Sequence, residues 1–167
     1  MKPFADHLAV YAASHRHPHN RLTHYVGVPT IIFALMVPLS LVRLPVGGEA
    51  PSLAMVLTLA VLVYYLIVEF AIGLALGAVF ALLLWAADRV ADLGTGPALA
   101  VFAAAFVGGW VVQLIGHRAE GNRPALLTSL FQVTVSPVYL MAELFFALGF
   151  KRDLAREIDA RIDHHTG

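Results

Sequence analysis

Residues 25–44 read YVGVPTIIFALMVPLSLVRL, with a single charge, Arg43, in the whole stretch. A run of about 20 apolar residues matches the hydrocarbon thickness of a bilayer when it is helical. An open strand there would leave backbone N–H and C=O groups without partners, so the run reads as a helix despite Pro29 near its start and Pro38 inside it. Pro45, Gly47, Gly48 and Pro51 then make a turn. Three further apolar runs follow: Leu53 to Val68, Ala71 to Ala87 after a tight Glu69-Phe70 connection, and Ala98 to Ile115. The polar stretch 88–96 separates the last two, with Pro97 suited to a first helical turn.

Composition agrees. The 167 residues are 59% hydrophobic and 13% charged, against about 45–50% and about 25% in soluble domains. The formal net charge is zero, so nothing points to nucleic acid. Without cysteine there are no disulfides, thiolate metal sites or thiol nucleophile. The N-terminal stretch lacks the apolar core and cleavage site of a signal peptide, and no lipidation motif is visible.

Beyond the fourth run, residues 124–150 are apolar but interrupted by Ser136-Pro137, which reads as a cut into two pieces too short to cross alone, leaving either one kinked span or a re-entrant helical hairpin. Lys2, Arg16 and Arg21 precede the first run, Arg118 and Arg123 follow the fourth, and Lys151, Arg152, Arg156 and Arg161 lie near the C-terminus. The positive-inside rule places all three regions in the cytoplasm. A fifth crossing would export the basic C-terminus. The expected fold is therefore an all-α integral membrane domain over 1–167. It has about four transmembrane helices (25–115) and a C-terminal re-entrant or interfacial helical hairpin (124–150). Residues 1–24 form a cytoplasmic amphipathic helix with a His motif, 116–123 a second His motif and 151–167 a polar tail. In the first segment Phe4, Leu8, Tyr11 and His15 follow helical spacing, and His7, Tyr11 and His15 share a face. Pro18 stops that helix, and Asn20 is placed to cap the next.

The eight histidines decide the chemistry. Imidazole is the commonest ligand for transition metals and is costly beside lipid. His15 and His24 flank a Pro break, and His117 stands in QLIGHRAEGNRPAL; the charge topology puts all three on one membrane face without using their identity. His117 and Glu120 share a helix face, Gly116 permits close approach, and Gln113 lies one turn back. Glu143 is an acid inside an apolar segment, a functional candidate or the partner of an Arg. His17 and His19 read as solvated loop residues, His164 and His165 as part of the tail, and Glu69 as interfacial. A His-plus-carboxylate set suits Fe(II), Zn(II) or Mn(II). Iron would activate oxygen and zinc would hydrolyse a lipid ester or amide, and spacing does not separate them. A non-enzymatic membrane protein with interfacial histidines is the third class. A transporter is disfavoured because the second to fourth runs carry almost no polar residue at mid-membrane.

HRHPHNRLTHYVGVPTI at 15–31 and WVVQLIGHRAEGNRPALLTSL at 110–130, followed by SPVYLMAELFFALGF, resemble the membrane-bound 2-hydroxy fatty acid dioxygenase family. In fungi that family takes part in metabolism of phytosphingosine to odd-numbered fatty acids. The resemblance covers nearly the whole chain. It implies an Fe(II)-dependent enzyme, independent of 2-oxoglutarate, that uses O2 to shorten a 2-hydroxy fatty acid by one carbon. His15, His24 and His117 match the motif histidines and are expected to hold the metal, with Glu120 as a further catalytic residue. Asn20 and Gln113 match polar motif positions, and with Arg21, Arg118 and Arg123 they are expected to bind the substrate. His7, Tyr11 and Glu143 are expected around the ligands, and His17 departs from the family pattern. The partners implied are O2, a 2-hydroxy fatty acid and the lipid bilayer, with self-assembly left open. The setting implied is a bacterial inner membrane with both termini cytoplasmic.

Overall fold

The structure is a computed structural model that describes residues 6, 8, 9, 11, 12, 18–45, 50–120 and 130–166; for 18, 119, 120, 130–133 and 163–166 it describes the backbone alone. Among the described residues the regular elements are all helices and there is no strand beyond an isolated bridge between Arg43 and Ser52. The elements are α1 (Pro18–Ser40), α2 (Leu53–Val68), α3 (Phe70–Ala91), α4 (Thr95–Glu120), α5 (Leu130–Ala147) and α6 (Arg152–Thr166). Three stretches are long and apolar enough to cross a membrane: His19–Ser40, Phe70–Ala91 and Thr95–Arg118. The second expected span is the shorter α2, with 16 residues, just under the ~17–25 that a crossing helix uses.

The chain divides into two compact units. One comprises Val26–Val112. There α2 and α3 are joined at Glu69, whose extended backbone (φ −152°, ψ 102°) ends one helix and starts the next. Its N–H donates to Tyr65 O at 2.9 Å, and its carboxylate accepts from Ala71 N at 3.2 Å. Gly73 permits this tight return: a Cβ there would lie 2.8 Å from the Leu66 nitrogen. Tyr65 is buried beside Phe80, ring centroids 6.2 Å apart. At the other ends of these helices Ser52 caps α2 by accepting from Met55 N at 3.1 Å. Arg43 lies 3.7 Å from Asp88 and 3.9 Å from Asp92, which brings together the turns after α1 and α3. Leu59, Val63, Ile67, Leu74, Leu82 and Trp85 are exposed. In water this would be an aggregation-prone surface; in lipid it is an ordinary one.

The other unit comprises Met1–Tyr25 and Gln113–Gly167. The described N-terminal residues 6, 8, 9, 11 and 12 are helical, and Leu8, Ala9, Tyr11 and Ala12 are buried, as the amphipathic spacing predicts for Leu8 and Tyr11. Two expectations need correction here. First, α1 begins at Pro18, so Asn20 lies inside its first turn rather than capping it; Pro has no N–H to lose at a helix start. Second, Ser136-Pro137 does not cut its segment: α5 runs unbroken from Leu130 to Ala147 with Pro137 inside. Proline removes one hydrogen bond of the ladder, and the neighbouring turns and the burial of 135–140 retain the helix. Of the segment expected to form the hairpin, residues 124–129 lie outside the described residues. The polar tail, 151–167, is largely the helix α6. Its residues are polar on average but arranged with one apolar stripe, in which Ile158 is 3% exposed. Gly149, at φ +83°, turns the chain between α5 and α6, with Phe150 N donating to Phe145 O at 2.8 Å. Arg161 pairs with Asp6 and with Glu157 at 2.7 Å, and these hydrogen bonds, Glu157 first, push its guanidinium above the usual arginine value.

Candidate metal and substrate site

Two turns of α1 and one end of α4 build the centre of this second unit. Asn20 and His24 are one turn apart on one face of α1; Gln113, Gly116 and His117 share a face of α4. Gly116 sets their approach. A Cβ there would overlap the Thr23 hydroxyl and Asn20 Oδ1, so any larger residue must turn these two side chains aside for α4 to lie this close to α1. Asn20, His24, Gln113 and His117 are all buried, at 0%, 3%, 7% and 4% exposure. Four polar side chains concentrated in so small a buried volume are expensive unless each has something to bind.

The two imidazoles meet edge to face, centroids 4.9 Å apart and planes 79° from parallel. His24 Nδ1 is 2.7 Å from the backbone carbonyl of Asn20. A carbonyl only accepts, so Nδ1 carries the proton, and the lone pair of a neutral ring lies on Nε2. A ring fixed in this way is the usual state of a metal-ligating histidine. Two buried imidazoles side by side are donors of the kind a divalent ion takes. Among the described residues no third His, Asp or Glu completes a cluster. His7, His15, His17 and Arg123 lie outside the described residues, and of Glu120 only the helical backbone is described.

Gln113 adds a second feature. Its Oε1 is buried and has no hydrogen-bond partner among the described residues. Such an acceptor costs about 1–3 kcal/mol while unmet.

A neighbouring face of the same α1 turns is held by α5. Arg21 Nη2 lies 2.6 Å from Glu143 Oε1, which also accepts from the Tyr139 hydroxyl at 2.7 Å. Tyr25 donates to the Leu140 carbonyl at 3.3 Å. Glu143 therefore has the Arg partner that the sequence left as one of two readings. Tyr11 packs against Tyr139, ring centroids 4.9 Å apart and planes tilted by 47°, and shares a 2.7 Å hydrogen bond with Ser136. A cavity of about 370 Å³ lies against Arg21, Tyr139, Glu143, Phe146, Ile158 and Ala12. Arg118 and His19 are exposed.

Sequence reasoning passed over Thr23 and Ser136. Thr23 lies three residues after Asn20 and directly against Gly116, a small residue opposite a glycine. Ser136 reads as half of a break signal because it precedes Pro137. Its hydroxyl on a buried α5 face becomes visible only once the helix is known to continue.

Three comparisons bear on the site. The family model described as Mpo1-like, 2-hydroxy-palmitic acid dioxygenase Mpo1-like, matches residues 1–148, which include both His motifs and Glu143. The chain is 34% identical over 146 residues to 2-hydroxy-palmitic acid dioxygenase MPO1 of Saccharomyces cerevisiae, covering 86% of this chain and 80% of that protein. No solved structure matches.

Proposed function

The chain belongs to the Mpo1-like family, described as 2-hydroxy-palmitic acid dioxygenase Mpo1-like, and we propose that it is a membrane-bound, Fe(II)-dependent dioxygenase that shortens 2-hydroxy fatty acids by one carbon. The observation that carries the site is the buried His24–His117 pair, with His24 oriented by the Asn20 carbonyl. His24 and His117 hold the metal, with His15 and Glu120 completing the set. The overall change is RCH(OH)COO⁻ + O2 → RCOO⁻ + CO2 + H2O. The C1–C2 bond breaks, the substrate loses four electrons, and O2 takes them. Bound iron supplies the one-electron steps that O2 needs to react with a closed-shell acid.

The remaining roles belong to the chain. The Asn20 carbonyl holds the His24 ring in one tautomer. Glu143 and Tyr139 fix Arg21 on the neighbouring face of the same turn, and Arg21 with Arg118 and Arg123 attracts the carboxylate. Leu22, Leu114 and Ile115, exposed beside these polar groups, offer the acyl tail an apolar surface. The burial of Asn20, His24, Gln113 and His117 excludes bulk water.

The proposed setting is a bilayer crossed by four helices with both termini on the cytoplasmic face. The three long apolar helices support it, as does the meeting of the turns after α1 and α3. The test is product analysis with 2-hydroxypalmitate. Purified protein with iron should form the acid one carbon shorter in air and none under argon. Turnover that persists under argon, or with zinc alone, contradicts the proposal and favours a hydrolase.

A further inference from the structure

We infer that Gln113 is the residue that recognises the 2-hydroxyl group: its Oε1 accepts the hydroxyl proton of the bound 2-hydroxy acid. This rests on the reading of the His24–His117 pair as the reaction centre. Gln113 is 93% buried by the complement of its 7% exposure, and its Oε1 finds no donor among the described residues. It lies one helical turn before His117 on α4, and Gly116 between them presses that face against Asn20 and Thr23. Gln113 thus belongs to the α4 face that Gly116 lays against α1. An oxygen that is buried and unmet calls for a donor. An alcohol supplies the one O–H that Oε1 needs, whereas a carboxylate oxygen would be met only by the amide's other end, Nε2. A 2-hydroxy acid bound at His24 and His117 brings that O–H on the carbon next to its carboxylate.

The consequence is selectivity in binding, separate from the chemistry at C2. A ligand with the hydroxyl gains the bond that the unmet acceptor offers, and a ligand without it leaves that acceptor as it is in the free protein. Palmitate should bind clearly more weakly than 2-hydroxypalmitate, and the difference should shrink about tenfold when the acceptor is removed.

The experiment is a binding cycle on the full-length protein reconstituted with iron under argon, so that no turnover occurs. Dissociation constants for 2-hydroxypalmitate and palmitate are measured with the wild type and with Gln113→Leu and Gln113→Met. Iron content and thermal midpoint are recorded for each. The expected result is about tenfold weaker binding of 2-hydroxypalmitate in both variants, with palmitate affinity and iron content unchanged. Equal weakening of both ligands would assign Gln113 to the carboxylate, to a trapped water or to packing, and overturns the inference. Unchanged binding of both overturns it as well. Loss of iron in both variants would make Gln113 a support of the metal and also overturns it. If the wild type binds 2-hydroxypalmitate selectively but never turns it over in air, the proposed reaction fails while the recognition stands.

Discussion

Gly116 and the Arg21–Glu143 pair carry most of the argument at single residues. Replacing Gly116 with Ala puts a methyl where Thr23 and Asn20 already lie. Overpacking of this kind destabilises by about 1–3 kcal/mol, and here it also parts His24 from His117. Gly116→Ala should therefore lower the thermal midpoint and the bound metal together; a variant with wild-type metal content would show that the close approach is not needed. Glu143 is buried while Arg21 is 45% exposed at its side chain. Breaking a wholly buried pair costs about 3–5 kcal/mol, and the exposed arginine reduces that to roughly 1–3 kcal/mol. Arg21→Ala, which strands the carboxylate, should thus be more damaging than Arg21→Ala combined with Glu143→Leu. A double variant at least as unstable as the single one would contradict this order. These residues differ in how far sequence exposes them. His24, His117, Asn20, Gln113 and Glu143 stand out because polar groups in apolar surroundings are rare. Thr23 and Ser136 do not, because their importance lies in what packs on them.

The elements were legible where a helix had to be long and apolar. The run Leu53 to Val68 matches α2 to the residue, and the third and fourth runs extend to 70–91 and 95–120. The extensions are polar or helix-compatible residues that hydropathy does not count. Two elements misled for opposite reasons. At α5, Pro137 suggests a break that surrounding packing overrides. At α6, low mean hydropathy conceals a narrow apolar stripe. That helix lies beyond the residues matched by the family, yet it packs into the unit that holds the candidate site. Its attachment rests on Ile158 far more than on Arg161. An Ile-to-Ala change at a buried site costs about 2–5 kcal/mol, whereas a partly exposed ion pair is worth about 1 kcal/mol or less. Ile158→Ala should lower stability and raise amide exchange at residues 8–12, while Arg161→Ala should do little. The reverse ranking would place the attachment in the Asp6–Arg161–Glu157 ion pairs.

For the whole molecule, charge distribution and helix length were enough to suggest the topology, and no single residue was. The chain has no cysteine, so single cysteines can report on sidedness. Gly96, with open space around its Cβ, and Ala160 on α6 are both exposed. In intact cells an impermeant maleimide should label Gly96→Cys and should reach Ala160→Cys only after permeabilisation; labelling of both from outside would refute the topology. The central claim is that His24 and His117 hold an iron that makes this chain an oxygen-consuming enzyme. It is tested most directly by metal content and O2 uptake on protein purified without added metal, for the wild type, His24→Ala and His117→Ala. The wild type should carry iron and consume one O2 per 2-hydroxypalmitate, and both variants should lose the iron and the uptake. Wild-type O2 uptake in either variant, or a wild type that turns over without iron, would contradict it.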